Sequence, residues 1–488
     1  ARLPAGEPAA ARRHAVALVS ATLDKAGLGA GIVHLGLGAF ARAHLIPATE
    51  AAMAASGERH WGVLGVSLRH ADVRDALAPQ GFDYTLALRD ADAQGKPREC
   101  RETLHSLLGV LVAPENPQAV LEAIAAPATR IVSLTVTEKG YHHDPASGAL
   151  KHDDPAIAHD LAHPAAPRTT LGFLVHGLAR RRARGLGPVT LLSCDNLPSN
   201  GATLRGLVLA FARAVDAALA EWIDSACRFP NGMVDRIVPK NDDLAVVTAE
   251  PFFDWAIEDD FAAGRPDWTV YGARFVAQAE PFEKLKLRMV NGSHSAIAYL
   301  GVLAGWPTVD RAIAEPALRR FAEALMREEI EPTLATLDGL AGVDLAAYRA
   351  RLIERFANPA LAHRTAQIAM DGSQKIPQRW LGTLRDRLAA GASIDHLALA
   401  LAAWLQFLGG VDEAGRGFAI DDPLAAELQA LHARAAGAPT ESARIATLLG
   451  YAPVFGTLGR ERGVIDAVSR QAVRLRRDGV RATLETME

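Results

Sequence analysis

The sequence has little cysteine, no long apolar run and no large excess of charge of either sign. Its 488 residues include three cysteines, Cys100, Cys194 and Cys227, and no Cys-x-x-Cys pair. Such a set supplies neither a disulfide framework nor a cysteine-based zinc site, and it suits a reducing cytosol. No stretch approaches about 18 consecutive apolar residues, and the first residues lack a secretory apolar core. We therefore expect a cytoplasmic protein without a membrane partner.

The charge and the spacing of potential metal ligands argue against nucleic acid and metal ions as partners. The formal net charge is only −4, so no broad attraction to a polyanion is expected. The arginine-rich stretch at 179–185 is typical of a solvated helix end. The histidine- and aspartate-rich stretch at 141–160 has the residue types of metal ligands without a recognised ligand spacing. We predict no nucleic-acid partner and no metal.

Short β-rich runs alternate with helical patterns in the first half of the chain. The runs are GIVHLGLG (31–38), WGVLGVSL (61–68), RIVSLTVTE (130–138) and PVTLLSCDN (188–196). The segments between them carry apolar residues at helical spacing, which is the pattern of βαβ units and a mostly parallel sheet. Apolar strand residues such as Ile131, Val132, Leu134 and Val136 suit burial on both faces.

The pattern changes near residues 280–286. Beyond them alanine- and leucine-rich helical segments dominate and β-rich runs nearly vanish. We predict an α/β fold in which a doubly wound, mostly parallel sheet is followed by a mainly α-helical carboxy-terminal domain. The expected domains are a dinucleotide-binding domain at 1–282 and a helical substrate and catalytic domain at 283–488.

A glycine motif follows the first predicted strand directly and opens a helix. Gly36 and Gly38, then Ala39, Phe40 and Ala41, match the G-x-G-x-x-G/A fingerprint of Rossmann-type domains. The first glycine permits a tight turn, the second lets the backbone approach a pyrophosphate, and the small third residue lets helix and strand pack closely. The phosphate would lie at the helix amino terminus. The motif predicts a bound dinucleotide.

The residue that distinguishes NAD from NADP is not evident in the sequence. An acidic residue at the end of the second strand would bind the ribose hydroxyls of NAD. The chain has Arg69 at that place and Asp72 three residues later. Because Arg69 can accept a 2′-phosphate or be a plain surface residue, the choice between the two cofactors stays open.

The stretch KLKLRMVNGSHSAIAYLG (284–301) begins an apolar helix with a polar cluster. Carbonyl reduction needs a proton donor, which a desolvated lysine can provide, and amide groups that bind the developing alkoxide. On an α-helix Lys286, His294 and Asn291 would lie at about 0°, 80° and 140°. Lys284 fits nearly as well, so helical periodicity does not choose between the two lysines.

Several motifs together resemble the mannitol dehydrogenase family of polyol-specific long-chain dehydrogenases. They occur in the family's order over about residues 31–415 and include GLGAFARAH, VSLTVTEKGY, LLSCDNLPSNG, FPNGMVDRIVP, KLRMVNGSHSAIAYLG and HRTAQIAMDGSQKIPQRW. The family pattern K-x-x-x-x-N-x-x-H fits Lys286 and does not fit Lys284. The resemblance therefore selects Lys286 as the general acid/base.

The resemblance also implies roles for other residues. Asn291 and Asn196 would bind the oxyanion, and His294 would orient a substrate hydroxyl. Glu283 matches a family glutamate that links the lysine to solvent by a proton path. Alternatively, it is a carboxylate that stabilises the start of a helix. Lys375 matches a substrate-binding lysine of the family, and Asp235 lies in a segment that approaches the substrate in the family, although it could equally be a structural ion-pair partner. A substrate carboxylate would need a cation, for which Lys139, Lys375 and Arg364 are candidates.

Two details of the resemblance favour a sugar acid as substrate. Lys139 stands where polyol enzymes more often have glycine, and Gln367 stands where mannitol dehydrogenases have arginine. We expect NAD-dependent interconversion of D-fructuronate and D-mannonate, with NADP not excluded. The alternatives are a mannitol 2-dehydrogenase or related polyol dehydrogenase and, remotely, a non-catalytic NAD-binding regulator. The resemblance is compatible with a monomer.

Overall fold

The chain divides into two compact units in a computed structural model that describes residues 23–92, 96–144 and 147–487. Of the described residues, those within 23–90 and 98–283 form the first unit, and those within 91–97 and 284–487 form the second. The assignment of dinucleotide binding to residues 1–282 and of catalysis to 283–488 stays a prediction.

The strands are short and fall almost wholly in the first unit. In chain order, β1 to β11 are Ala30–Leu35, Gly62–Ser67, Tyr84–Ala91, Pro97–Leu104, Leu107–Val112, Ile131–Leu134, Thr190–Ser193, Gly232–Asp235, Val246–Ala249, Asp254–Glu258 and Ala273–Val276.

The α-helices run through both units. In chain order, α1 to α22 are Ala39–Ala43, Leu45–Ser56, Asp72–Leu77, Pro117–Ile124, Pro155–Ala162, Thr170–Ala183, Asn200–Val215, Ala217–Ala226, Glu280–Leu285, Ser293–Leu303, Val309–Ile313, Pro316–Ala324, Glu331–Leu334, Leu345–Phe356, Thr365–Ile368, Gly372–Ile376, Gly382–Ala389, Asp395–Phe407, Ala425–Ala435, Glu441–Leu449, Ala452–Phe455 and Arg462–Glu485. Short 3₁₀ helices cover Ala78–Gln80, Glu138–Tyr141, Trp268–Tyr271, Asp338–Leu340 and Leu458–Arg460. Three π-helices, π1 to π3, cover Lys286–Gly292, Leu325–Ile330 and Pro377–Leu381.

A five-stranded parallel sheet organises the first unit. Its strand order is β5-β2-β1-β6-β7, and β1 pairs in parallel with both β2 and β6. Ile131 and Val132, neighbours on β6, pack into two different apolar clusters. Because successive side chains of a strand point to opposite faces, both faces of this sheet are covered. The predicted doubly wound parallel sheet is confirmed.

The strands end earlier than the apolar runs predicted. The run at 130–138 yields a strand of four residues, Ile131–Leu134, and the run at 188–196 yields Thr190–Ser193. After β6 the chain turns away into a loop, in which Thr137 has a φ of +64°. Two three-stranded sheets, β11-β10-β8 and β4-β3-β9, accompany the main sheet. The alternation of β-rich runs and helical patterns in the sequence did not predict these two smaller sheets.

The second unit is mainly helical, as predicted. Its core contains α18, which is buried on nearly every face and packs against α10 and α22. The polar start of the KLKLRMVNGSHSAIAYLG stretch therefore leads into α10, a helix of the core. Among the helices of the described residues, none has the length and apolar character needed to cross a membrane.

Candidate functional site

The glycine motif forms a tight turn between β1 and α1. Gly36 has a φ of +83°, and a Cβ on it would lie 2.2 Å from the carbonyl oxygen of Thr135. No residue with a side chain fits there without a shift of the backbone. A Cβ on Gly38 would meet only the carbonyl oxygen of Gly36, at 3.8 Å. The backbone at Gly38 is thus open to the close approach of a ligand.

This turn lies at the point where the strand order of the main sheet reverses. β2 lies on one side of β1 and β6 on the other, and the carboxyl ends of all three strands meet at one edge. In open parallel sheets, ligands bind in the crevice at this position. Ala39, Phe40 and Ala41 begin α1, which ends at Ala43.

The two candidate cofactor residues after β2 are both exposed. Arg69 lies in the bend that follows the strand, and Asp72 is the first residue of α3. Ser67, the last residue of β2, is buried. The ribose-binding role of Arg69 and Asp72 stays a prediction.

The loop that carries Asn196 is held by the residue before it. The carboxylate of Asp195 accepts hydrogen bonds from the backbone N–H of Val136 at 3.0 Å, from that of Thr137 at 3.1 Å, and from the Tyr141 hydroxyl at 2.8 Å. Burial raises the pKa of Asp195 above its usual value. The ends of β6 and β7 are thereby tied together, and the exposed Asn196 follows directly.

Asn200, four residues beyond Asn196, anchors the same loop to β8. Its side-chain amide donates to the carbonyls of Ser193, Asp195 and Gly232, and its carbonyl accepts from the N–H of Gly232 at 2.9 Å. The LLSCDNLPSNG motif thus contains one buried structural asparagine and one exposed asparagine. The exposed one is the candidate for substrate binding.

Three further candidates lie in the first unit. Glu283, on α9, accepts a hydrogen bond from the backbone N–H of Ser199 at 3.0 Å, so its carboxylate supports the start of α7. Asp235 is the buried last residue of β8, opposite Asp254 of β10. Lys139 is exposed in the 3₁₀ helix after β6. Their proposed roles stay predictions.

In the second unit, the K-x-x-x-x-N motif lies on a π-helix. Lys286 and Asn291 belong to π1, whereas Lys284 lies in the preceding α9. In a π-helix the N–H of residue i+5 bonds to the carbonyl of residue i. Residues five apart therefore lie about one turn apart on the same side, instead of about 140° apart as on an α-helix. The Lys286 side chain is only 7% exposed.

His294, in the first turn of α10, lies among aromatic and positively charged groups. Its ring stacks on Phe356 with centroids 5.0 Å apart and meets His363 edge-on at 5.3 Å. Burial lowers the pKa of His294 well below its usual value. Nearby positive or titratable groups lower it further, namely His363, Arg379, Arg355 and Lys375. The neutral ring has one donor and one acceptor nitrogen.

Lys375 and Arg364, both from the HRTAQIAMDGSQKIPQRW motif, differ in their surroundings. The Lys375 ammonium donates to the carbonyl of Met370 at 2.5 Å and lies 3.8 Å from the Asp371 carboxylate. It also acts electrostatically on His294. Arg364 is exposed and precedes α15. The structure therefore brings Lys375 to the His294 site, while Arg364 lies at the surface of the loop.

Three residues near His294 had not been singled out from the sequence. Arg355 is buried at the end of α14, His363 lies beside the His294 ring, and Arg379 donates to the Ser295 hydroxyl at 2.8 Å. Arg379 and His363 both stand inside the HRTAQIAMDGSQKIPQRW motif, which is a usable sequence signal. Arg355 lies outside the motifs, and only tertiary packing brings it here.

The histidine- and aspartate-rich stretch is held by pairs and caps. His142 bonds to Asp154 at 2.8 Å, and the buried Asp160 accepts from the backbone N–H groups of Arg168 and Thr169. Within residues 23–92, 96–144 and 147–487, no three His, Cys, Asp or Glu side chains come together as metal ligands.

Comparison with protein families gives matches in both halves of the chain. Residues 30–270 match the mannitol dehydrogenase Rossmann domain, and residues 278–475 match the mannitol dehydrogenase C-terminal domain. The chain belongs to the mannitol dehydrogenase family. It is therefore an oxidoreductase, and the family resemblance inferred from the motifs is confirmed.

Individual members of the family are similar over nearly the whole chain. The D-mannonate oxidoreductase of Escherichia coli (strain K12) is 44% identical over 451 residues, covering 88% of this chain and 90% of that protein. The mannitol 2-dehydrogenase of Pyricularia oryzae is 37% identical over 482 residues, covering 94% and 93%. The structure of Pseudomonas fluorescens mannitol 2-dehydrogenase with NAD and D-mannitol has a TM-score of 0.81 at 36% identity, covering 95% of each chain.

Proposed function

We propose that this member of the mannitol dehydrogenase family uses NAD to interconvert D-fructuronate and D-mannonate. The observation that carries the substrate assignment is the positive charge around His294. Arg355, Arg379 and Lys375 all act electrostatically on its ring. A substrate carboxylate is stabilised by such groups through charge-assisted hydrogen bonds, whereas a neutral polyol has no group that needs them. The similarity to D-mannonate oxidoreductase supports the same substrate class.

The first unit fits a dinucleotide. The positive φ at Gly36 and the open backbone at Gly38 form a turn that a pyrophosphate can approach, at the reversal of strand order. When bound, NAD supplies or accepts the hydride. The relative solved with NAD supports this cofactor over NADP. In this proposal Arg69 and Asp72 lie at the ribose end.

The proposed chemistry is proton transfer without a metal. Lys286, as an ammonium, donates a proton to the carbonyl oxygen during reduction and takes it back as an amine during oxidation. The side-chain amides of Asn196 and Asn291 donate hydrogen bonds to that oxygen. His294 orients a neighbouring hydroxyl, and Lys375 is the first candidate for the carboxylate, with Arg364, Lys139 and Asp235 as further substrate residues.

A substitution pair tests the mechanism. Lys286→Ala should lower kcat by about 100- to 10,000-fold because the proton donor is gone, while NADH binding persists. Lys284→Ala is the matched control, since this lysine is two residues away and lies outside π1. Full turnover in Lys286→Ala would refute the mechanism.

A substrate panel tests the specificity. Initial rates with NADH and with NADPH should be measured on D-fructuronate, D-tagaturonate and D-fructose, and we expect NADH with D-fructuronate to be fastest. Arg355→Lys should raise KM for D-fructuronate about tenfold and change KM for D-fructose little, because only the former has a carboxylate. Equal effects on both substrates would contradict a carboxylate contact.

The second candidate function is that of a mannitol 2-dehydrogenase. It is favoured by the 0.81 TM-score with the mannitol 2-dehydrogenase structure. Activity on D-fructose without activity on D-fructuronate would establish it. The mechanism assigned to Lys286 would be unchanged.

We further propose a cytoplasmic, monomeric protein. The three free cysteines, of which Cys194 and Cys227 are buried, suit a reducing compartment. Size-exclusion chromatography with light scattering tests the monomer, and a mass of twice the chain would refute it.

A further inference from the structure

Two consecutive side chains of π3 donate hydrogen bonds to two consecutive carbonyls at the end of π1. The Arg379 guanidinium donates through Nη1 to the Asn291 carbonyl at 3.3 Å. The Trp380 indole donates through Nε1 to the Gly292 carbonyl at 2.9 Å. These bonds join segments 88 residues apart in sequence. They contact the backbone of the proposed catalytic turn itself.

Both carbonyls lie at the junction between two helix types. π1 ends at Gly292 and α10 begins at Ser293, so the hydrogen-bonding interval changes here from five residues to four. A carbonyl oxygen has two lone pairs and can accept a side-chain donor beside a backbone donor. The side chains of Arg379 and Trp380 therefore fasten the backbone where the helix type changes.

The two π-helices also approach each other closely. A Cβ on Gly292 would lie 3.2 Å from the Arg379 carbonyl oxygen and 3.5 Å from the Trp380 ring. Trp380 is fully buried. Arg379 extends the contact into α10 through its 2.8 Å bond to the Ser295 hydroxyl. The contact therefore spans the end of π1 and the first turn of α10.

We propose that Arg379 and Trp380 are positioning residues that hold π1 in its π-helical register. In that register Lys286 and Asn291 lie on one side of the helix, where both reach one oxygen atom of the substrate. If the segment relaxed to an α-helix, Asn291 would turn to about 140° from Lys286. The inference rests on the proposed catalytic roles of Lys286 and Asn291.

Conservative variants test the inference. Trp380→Phe keeps the ring and removes the donor, and Arg379→Lys keeps the charge and removes the planar group. Each should lower kcat about 10- to 100-fold, because misplacement by about 1 Å has an effect of this size. In Trp380→Phe, which alters no charged group, KM for the sugar substrate and the dissociation constant of NADH should stay within about twofold. In both variants the pH profile of kcat should shift with the displaced lysine. Added guanidinium should restore part of the kcat of Arg379→Ala.

Arg327→Met is the matched control, because Arg327 is an exposed arginine on π2 that pairs with its neighbour Glu328. It should leave kcat unchanged. If Lys286→Ala is inactive but Trp380→Phe and Arg379→Lys have normal kcat and pH profiles, the positioning role is refuted alone. If Lys286→Ala is active, the proposed catalytic role of Lys286 fails, and the positioning role that rests on it fails with it. Parallel losses of kcat, NADH affinity and thermal stability would also refute positioning, since they indicate a general structural role.

Discussion

The imidazole ring of His294 stacks on the phenyl ring of Phe356, with centroids 5.0 Å apart and planes inclined by 20°. The stack fixes the plane of the imidazole, and with it the direction in which each ring nitrogen points. A residue outside the sequence motifs thus orients one of the residues inside them.

Replacing Phe356 with Leu should therefore weaken substrate binding. An aromatic pair contributes about 0.5–1.5 kcal/mol, so KM for the sugar substrate should rise about two- to tenfold while NADH binding is unchanged. Steady-state kinetics with varied substrate provide the measurement. Phe418→Leu is the control, because Phe418 stacks on Phe407 in the same unit at 4.9 Å. A KM effect in both variants, or in neither, would contradict a specific role of the stack.

Replacing Gly36 with Ala should abolish cofactor binding. The new Cβ would lie 2.2 Å from the Thr135 carbonyl oxygen, so the turn must move. Gly57→Ala is a matched control, because Gly57 has a similar φ of +76° and nothing lies within 4 Å of its Cβ position. It should cost about 1 kcal/mol of stability and leave NADH binding intact. Titration of NADH fluorescence measures the affinity, and equal affinity in the two variants would count against the assigned turn.

A Glu283→Gln variant separates proton transfer from structural support. Glutamine can still accept the 3.0 Å hydrogen bond from the Ser199 N–H, but it cannot relay a proton at neutral pH. If Glu283 serves the proton path, kcat should fall about tenfold or more and its pH profile should change, with thermal stability retained. If the pH profile of kcat is unaltered in Glu283→Gln, Glu283 supports the start of α7 and does not serve the proton path.

The buried His34 of β1 should make the first unit sensitive to acid. Its ring bonds to the hydroxyls of Ser133 and Thr135 at 2.9 Å, and burial lowers its pKa from 6.5 to about 3. The unfolded chain takes up a proton below about pH 6.5 while the folded chain does not. The stabilisation is therefore full above pH 6.5 and declines as the pH falls towards 3, by about 2 kcal/mol at pH 5.

Replacing His34 with Gln tests this acid sensitivity, because glutamine does not titrate. Thermal midpoints at about pH 7.5 and 5 should fall less in His34→Gln than in the unchanged protein. If the thermal midpoint falls equally in the two proteins between these pH values, His34 does not contribute to the acid sensitivity.

The sequence predicted the main sheet and the glycine turn because both depend on local patterns. Ile131 and Val132 are apolar since both faces of the sheet are covered, and Gly36 is glycine since its φ is positive. The strand ends were misjudged, because the residues after Leu134 are apolar or β-branched and yet turn outward to meet Asp195. Side-chain composition alone does not reveal that turn.

The part of the site that escaped prediction depends on long-range contacts. Phe356 and His363 reach His294 from elsewhere in the chain, and no spacing rule connects them. The sequence also did not predict that Lys286 and Asn291 lie on a π-helix. A single π-helical turn within an α-helix changes the spacing of apolar residues very little, so the two helix types have similar sequence patterns.

The wide turn of π1 has a consequence for insertions and deletions. A π-helical turn is one residue longer than the α-helical turn that it replaces. Loss of a single residue between Lys286 and Asn291 would leave the lysine and asparagine four apart, a spacing that an unbroken α-helix presents on one face. The lysine and the asparagine can therefore share one helix face in two ways, either five residues apart on a π-helix or four residues apart on an α-helix. In a homologue, the number of residues between the lysine and the asparagine indicates which helix type carries them.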